Sequence, residues 1–213
     1  TIGVNPVNDA PVLSDIDNQS IDEDTVFTYE LSANDVDDTN LSYSATLDGH
    51  ASVDVTGSTL TITPDLNYNG DIEVDVTVSD GELTDSDSFT LTVNPVNDAP
   101  VANAASGETD EDQSVSITLS GSDIDNDPLT FSLLLDASSG SVTIDGTLAT
   151  YVPATDFNGS DSFTFTVSDG ELTDSEIVNI SINAVNDAPI ATATTATTDE
   201  DVSVTIDLIG SDI

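Results

Sequence analysis

The chain is 213 residues long and carries 42 Asp and Glu residues, no Lys or Arg and one His, for a formal net charge of −42. This charge excludes nucleic acid as a partner and anionic membranes as a surface, because both would repel the chain. The absence of Cys excludes disulfides, zinc–thiolate sites and catalytic thiols. No apolar run of about 18 residues is present, so direct membrane insertion is not expected.

A five-residue phrase, Val-Asn-Asp-Ala-Pro, occurs three times at intervals of 89 residues, beginning at Val7, Val96 and Val185. A fixed period of this length indicates tandem copies of one small domain. We therefore expect the last strand of a preceding repeat at 1–6, complete repeats at 7–95 and 96–184, and the first two strands of a third repeat at 185–213. This partition predicts that the chain is cut from a longer array.

Seven strands, A to G, are predicted in each repeat from apolar residues that alternate with polar ones. In the first repeat they are expected near 12–21, 25–33, 41–47, 51–56, 59–63, 72–79 and 87–94. Asn-Gly and Asp-Gly turns, such as Asn69-Gly70 and Asp80-Gly81, separate several of these segments and are strong hairpin signals. Seven short strands in fewer than 90 residues predict an all-β, immunoglobulin-like sandwich.

Acidic residues gather at the predicted junctions between repeats. An up-and-down chain path puts the B–C loop (35–40) and the F–G loop (80–86) at one end of a repeat. The A–B turn (22–24) and the E–F loop (64–71) then lie at the other end. Two carboxylates about 4 Å apart repel by roughly 4 kcal/mol at an effective dielectric constant near 20, so such clusters need a cation. The oxygen-rich donors favour Ca²⁺ or, less readily, Mg²⁺.

The order of these motifs resembles that of the cadherin calcium sites: Glu23, then Asp35-Val36-Asp37, Asp80-Gly81 and Asn97-Asp98-Ala99-Pro100. Over its whole length the chain is most similar to the bacterial cadherin-like tandem repeats of giant adhesins secreted by the type I route. The resemblance implies tandem seven-stranded immunoglobulin/cadherin-like β-sandwiches arranged as a linear rod. It also implies several Ca²⁺ ions clustered at the inter-repeat junctions, where the complete junction would use Glu23, Asn97, Asp98, Asp123, Asp125 and Asp169.

Eighteen residues are expected as metal ligands on this basis: Asn8, Asp9, Glu23, Asp24, Asp35, Asp37, Asp80, Asn97, Asp98, Glu111, Asp112, Asp123, Asp125, Asp127, Asp169, Asn186, Asp187 and Asp212. The E–F loop departs from the animal cadherins because it lacks their Asp-x-Glu motif, and Asp65 and Asp71 are its candidate ligands. An EF-hand is excluded at Asp123, because Pro128 stands where that loop needs Gly.

No catalytic residues are expected, because one His and no Cys, Lys or Arg leave most nucleophilic and acid–base schemes incomplete. The favoured interpretation is a calcium-rigidified extender segment of a bacterial cell-surface or secreted adhesin. It would lie outside the cell, project a distal binding domain, and have neighbouring repeats of the same chain as its partners. Two alternatives stay open: a filament subunit completed by strands from neighbouring copies, and a direct carbohydrate- or protein-binding module. It also stays open whether the acidic residues serve a salty habitat and not specific metal sites.

Overall fold

The computed structural model of the chain describes Gly3 and residues 7–212, so most of the strand expected at 1–6 lies outside the described residues. The described residues contain strands but no helix, and therefore no helix that could cross a membrane. The chain divides into two compact units, Thr1–Val96 and Asn97–Ile213, which we call unit 1 and unit 2.

Unit 1 is a sandwich of two principal sheets. Its strands are β1 (Val12–Leu13), β2 (Gln19–Asp22), β3 (Phe27–Glu30), β4 (Ala33–Asn34), β5 (Ser42–Leu47), β6 (Ala51–Thr56), β7 (Thr59–Pro64), β8 (Gly70–Ser79) and β9 (Thr84–Asn94). One sheet has the order β2-β9-β8-β5 and the other β3-β7-β6, while β1 pairs with β4. All pairs are antiparallel except β2 with β9.

Unit 2 repeats this plan. Its strands are β10 (Val101–Ala102), β11 (Ala105–Asp110), β12 (Val115–Thr118), β13 (Gly121–Ser122), β14 (Thr130–Leu135), β15 (Gly140–Asp145), β16 (Leu148–Pro153), β17 (Gly159–Ser168) and β18 (Thr173–Asn183). The sheet orders are β11-β18-β17-β14 and β12-β16-β15, with β10 paired to β13. The prediction of tandem all-β, immunoglobulin-like sandwiches is confirmed.

The alternating pattern identifies the core correctly. Ile72, Val74, Val76 and Val78 on β8 are all 0% exposed, and they face Leu60 and Ile62 from the opposite sheet in one cluster. The intervening Glu73 and Asp75 are exposed. Because successive side chains of a strand point to opposite faces, one apolar residue in two is enough to fill the space between the sheets.

Predicted strand A is wrong as a single strand, because the chain changes sheets between β1 and β2. Two carboxylates on β9 support this crossing: Asp85 Oδ2 accepts a hydrogen bond from Leu13 N at 2.9 Å, and Asp87 Oδ2 accepts one from Ile16 N at 2.7 Å. In unit 2 the Ala102 N–H donates to Asp174 in the same way and lowers the pKa of that carboxyl. Acidic side chains thus satisfy backbone N–H groups that leave the sheet.

The two strands expected for a third repeat form only in part. Residues 185–212 contain a short pair, β19 (Ile190–Thr192) and β20 (Ile209–Ser211), and the predicted strand B through Val204, Ile206 and Leu208 is not formed. In units 1 and 2 strand B pairs with strand E, as β3 does with β7. The described part of this segment, 185–212, contains no such partner strand, which explains the difference.

Unit 2 differs from unit 1 by a buried polar network. Asp161, 7% exposed, accepts hydrogen bonds from the Tyr151 hydroxyl at 3.0 Å and from Ser138 N and Ser139 N at 3.1 and 2.8 Å. Burial alone would raise the pKa of Asp161, but the donated hydrogen bonds outweigh it and lower the pKa. The network fixes the loop between β14 and β15 to the core.

Candidate metal centres

Carboxylates from two loops meet the incoming linker at one end of each unit. We call this set the leading cluster. It consists of Asn8, Asp9, Asp35, Asp37 and Asp80 in unit 1, and of Asn97, Asp98, Asp123, Asp125, Asp127 and Asp169 in unit 2. Short strands β4 and β13 end just before the first loop, and the turn after β8 or β17 supplies the second. All of these residues were predicted as ligands.

In unit 1 the linker donates to both loops. Asn8 Nδ2 donates to Asp80 Oδ2 at 2.8 Å, and Asp9 N donates to Asp37 Oδ2 at 2.9 Å. Asp37 N in turn donates to Asp35 Oδ1 at 2.7 Å. The Asn-Asp phrase is therefore a set of donors aimed at carboxylates, which explains why it recurs with the acidic loops.

Unit 2 has the same contacts. Asn97 Nδ2 donates to Asp169 Oδ2 at 2.9 Å, Asp98 N to Asp125 Oδ2 at 2.8 Å, and Asp125 N to Asp123 Oδ1 at 2.9 Å. Equal geometry in two copies with different surrounding sequence indicates that the arrangement belongs to the repeat itself.

The aspartate of each Ser-Asp-Gly turn stays ionised. Leu83 N and Glu82 N each donate to Asp80 Oδ1 at 2.7 Å and lower the pKa of Asp80. For Asp169 the Asn97 amide is the largest cause of a lowered pKa, followed in the same direction by the backbone of the turn. Both groups therefore present a negative charge at neutral pH.

Unit 2 carries the denser group of acids. Ligand oxygens of Asp123, Asp125 and Asp127 all lie within 4.8 Å of one another. Thr39 occupies the place of Asp127 in unit 1, so the third carboxylate is specific to unit 2. Oxygen donors at this spacing, without any neighbouring Lys or Arg in the chain, fit a hard divalent cation.

Buried carboxylate oxygens support the same chemistry. Among the described residues, Asp35 Oδ2, Asp123 Oδ2 and Glu23 Oε2 are buried and accept no hydrogen bond. A buried acceptor without a partner normally costs about 1–3 kcal/mol, and more when it is charged. Because these oxygens lie within the acidic clusters, a bound Ca²⁺ would give them the partner that the protein does not.

A second set of acids lies at the opposite end of each unit, and we call it the trailing cluster. It consists of Glu23 and Asp24 in unit 1, and of Glu111, Asp112, Asp156, Asn158 and Asp187 in unit 2. Glu23 and Glu111 are 5% and 6% exposed. Each accepts a hydrogen bond of 2.5 Å from the first residue of the next linker phrase, Val96 N or Val185 N.

The E–F loop contacts the trailing cluster through two residues that were not among the predicted ligands, Asn67 and Asp156. Asp24 Oδ1 accepts a hydrogen bond from Asn67 N at 2.9 Å, and Asp112 Oδ1 accepts one from Asp156 N at 3.2 Å. Burial, followed by Asp112, Asp187 and Glu111, raises the pKa of Asp156. Asn67 and Asp156 both have positive φ, 55° and 56°. Each lies two residues before an Asn-Gly pair, and this shared position in the two repeats is the sequence signal that could have identified them.

Some predicted ligands are not brought into these clusters. Asp71 lies on β8 and its Oδ1 accepts a hydrogen bond from Thr92 Oγ1 at 2.8 Å, so it belongs to the sheet surface. Asn186 donates only to the backbone of Asp187, at 2.9 Å, among its described contacts. Asp212 is exposed beyond β20. The three belong to neither cluster.

Two tandem sandwiches, each with a four-stranded and a three-stranded principal sheet and acidic loops, define an immunoglobulin-like repeat protein. The chain belongs to the bacterial Ig domain family, which matches residues 8–94 and 97–181. Domains of this family are generally non-enzymatic and typically extracellular or surface-exposed. The predicted membership in bacterial immunoglobulin-like repeats is confirmed.

No curated protein matches the chain by sequence. Similar solved structures include Drosophila N-cadherin EC1-4, at 17% identity over 97% of this chain and 61% of that chain, with a TM-score of 0.43. Protocadherin gamma B7 domains 1-4 have 19% identity over 91% of this chain and 56% of that chain, with a TM-score of 0.48. The endo-fucoidan hydrolase MfFcnA4 has 18% identity over 86% of this chain, which spans 30% of the hydrolase, with a TM-score of 0.35.

Proposed function

We propose that the chain is a calcium-rigidified extender segment of a bacterial cell-surface or secreted adhesin, with no catalytic role. One observation carries the proposal. In both units the linker phrase donates hydrogen bonds to loop carboxylates, and an aspartate of the same loop, Asp35 or Asp123, keeps a buried oxygen without a partner among the described residues. Calcium would neutralise the repulsion among these acids and complete their coordination.

The residues of the chain would act as follows. Asp123, Asp125, Asp127 and Asp169 hold negative charge beside the linker, while Asn97 fixes the orientation of Asp169 by its amide. Neutralising the charge favours the state in which the linker is bound to the loops. A linker held in this way loses its freedom to swing, and successive repeats would then keep a fixed direction.

The trailing cluster would hold the other end of the linker. Glu23 and Glu111 bind the N–H of the residue that begins each linker phrase. We propose repeat boundaries at 7–95 and 96–184, with several ions at each junction and the linker residues as shared ligands. Extracellular calcium sites typically bind at about 10⁻⁴–10⁻³ M, so the segment would become rigid outside the cell.

Small-angle scattering and calorimetry of the whole chain test the proposal. Millimolar calcium should increase the maximum dimension and the melting temperature relative to chelator, and Mg²⁺ should do so less because it tolerates only near-octahedral sites. Asp35→Asn combined with Asp123→Asn should abolish most of the response, whereas Asp145→Asn, at the exposed end of β15 and outside both clusters, should keep it. An equal response to sodium chloride of matched ionic strength would contradict the proposal and indicate a solubilising surface.

A further inference from the structure

A β-bulge in unit 2 turns leucines outward from the sandwich. Strand β14 pairs with β17 through Leu133 and Phe165, and then through Leu135 and Thr164, so that Leu134 is the extra residue. Leu134 and Leu135 are 61% and 66% exposed. Bulges re-aim side chains and are features of function more often than defects.

Unit 1 has no such bulge. There β5 pairs with β8 in unbroken register, and Leu47, which aligns with Leu135 in sequence, lies opposite Val74 and packs on the core. Leucines at aligned sequence positions thus face the core in unit 1 and solvent in unit 2. The bulge and not the residue type makes the difference.

Leu135 belongs to a cross-strand row on the outer face of the sheet in which two apolar side chains flank a threonine. Leu135 lies opposite Thr164, and Thr164 lies opposite Ile177 on β18, which is 47% exposed. We call Leu134, Leu135, Thr164 and Ile177 the leucine patch. The corresponding row of unit 1 is Thr46, Asp75 and Ser88, all of them polar.

The outward positions of β14, β17 and β18 carry no carboxylate, while the exposed Asp136, which follows Leu135, accepts hydrogen bonds from Ala137 N and Val142 N. The outward residues of β17 and β18 are hydroxyl- or amide-bearing apart from Ile177: Ser160, Ser162, Thr164, Thr166, Ser168, Thr173, Ser175, Asn179 and Ser181. On β11, which adjoins β18, the same face carries Glu108 opposite Ser181 and Asp110 opposite Asn183, about 13 and 20 Å along the strand from Ile177. In unit 1 the matching strand β8 presents Asp71, Glu73 and Asp75, all exposed.

We infer that the leucine patch is a docking surface for a second copy of this chain, face to face through the β14-β17-β18 side of unit 2. The inference is independent of the proposed calcium sites. Two copies with 42 acids and no Lys or Arg repel each other, so contact requires a face without carboxylates, and these strands provide one.

The face is also complementary to itself. Ser and Thr hydroxyls both donate and accept hydrogen bonds, so two such faces can satisfy one another, whereas carboxylates only accept. A two-fold arrangement places the leucine patch of one copy on that of the other. Addition of a strand to the edge of β14 is disfavoured because the bulge interrupts its register. The two copies would therefore associate by packing their sheet faces about 10 Å apart.

Sedimentation equilibrium of the whole chain in chelator tests this inference from micromolar to millimolar concentration. We expect a weak dimer that strengthens as sodium chloride increases, because salt screens the repulsion of the remaining acids. Leu135→Asp and Ile177→Asp, on different strands, should each weaken it at least about tenfold by placing like charges in contact. The matched variants Thr46→Asp and Ser88→Asp in unit 1 should leave it unchanged.

Three results would overturn the inference: a monomer at millimolar concentration in high salt, equal loss in the unit 1 variants, or association that persists in both unit 2 variants. Binding of the chain to insoluble neutral polysaccharide, lost in Ile177→Asp while the chain stays monomeric, would assign the patch to a glycan instead. Circular dichroism establishes that the variants fold, which their exposed positions favour. Because chelator is present throughout, this test can fail without affecting the calcium proposal.

Discussion

Asp125→Asn should stabilise unit 2 when calcium is absent. The oxygens of Asp123, Asp125 and Asp127 lie within 4.8 Å of one another. At that separation two unit charges repel by about 0.9 kcal/mol at a dielectric constant near 80 and about 3.5 kcal/mol near 20. These loops contact solvent, so the lower figure applies, and Asn removes two of the three pairwise repulsions in the group. The gain is about 2 kcal/mol, or a rise of roughly 10 °C in melting temperature.

Asp125→Asn should have the opposite effect on the stabilisation by calcium, which it should reduce. Asn keeps the oxygen that accepts from Asp98 N, so the linker contact survives, but a neutral amide oxygen is a weaker ligand than a carboxylate. A loss of about tenfold in calcium affinity reduces the stabilisation by bound metal by about 1.4 kcal/mol. The variant should therefore melt higher than the native chain in chelator and gain less from calcium.

Calorimetry in chelator and in calcium measures both effects, and hydrogen exchange of unit 2 peptides assigns them to that unit. Asp145→Asn is the matched control, because it removes one charge from the exposed end of β15, outside both clusters. A lower melting temperature for Asp125→Asn in chelator would refute the reasoning, since it would make Asp125 a structural acceptor. An equal rise in Asp145→Asn would attribute the effect to net charge.

Four further changes should alter unit 2. Asp156→Asn should raise its melting temperature in chelator and lower its calcium affinity at least about tenfold by isothermal titration calorimetry, because burial, followed by neighbouring acids, raises the pKa of Asp156. Tyr151→Phe should cost about 2 kcal/mol in urea unfolding, since the hydroxyl donates to Asp161 at 3.0 Å. Acidification should destabilise unit 2 in urea titrations. The pKa of Asp161 is lowered on folding, so its contribution is complete above the unfolded value of about 3.9 and is lost as the pH falls through the folded value. Gly140→Ala should cost about 1–3 kcal/mol by the same assay, because a Cβ there would lie 2.6 Å from the Val152 carbonyl oxygen.

Unit 1 is the internal control for the Asp161 predictions, because Ile62 and Ile72 occupy the places of Tyr151 and Asp161 there. An acid transition in unit 2 that does not move in Tyr151→Phe would show that another group titrates. An Asp156→Asn variant with unchanged calcium affinity would exclude the E–F loop from the proposed metal site.

The sequence predicts the sandwich well because its two determinants are local. Period-two alternation places Val74 and Val76 in the core, and Asp-Gly turns bound the strands. Leading-cluster residues could be predicted because they repeat beside a fixed linker phrase. The break between β1 and β2 could not, since it depends on Asp85 and Asp87, which are far along the chain from the backbone groups that they bind.

Other features escaped prediction for the same reason. Asp156 approaches Asp112 only after the E–F loop has folded against the A–B turn. The bulge at Leu134 is invisible in the pattern, because Leu133, Leu134 and Leu135 give no clue to which of them faces out. One inserted residue in a strand changes the face of everything that follows it, and alternation alone cannot locate the insertion.

Each repeat contains binding sites for both linkers that flank it. Loop carboxylates accept hydrogen bonds from the Asn-Asp of the preceding linker, and a buried glutamate accepts one from the first valine of the following linker. These contacts involve no residue type that is peculiar to one copy. In genetic terms the repeat is a self-contained module, so in-frame duplication or deletion of 89 residues would preserve all of these linker contacts. Length could then vary between strains by recombination alone, without any compensating mutation.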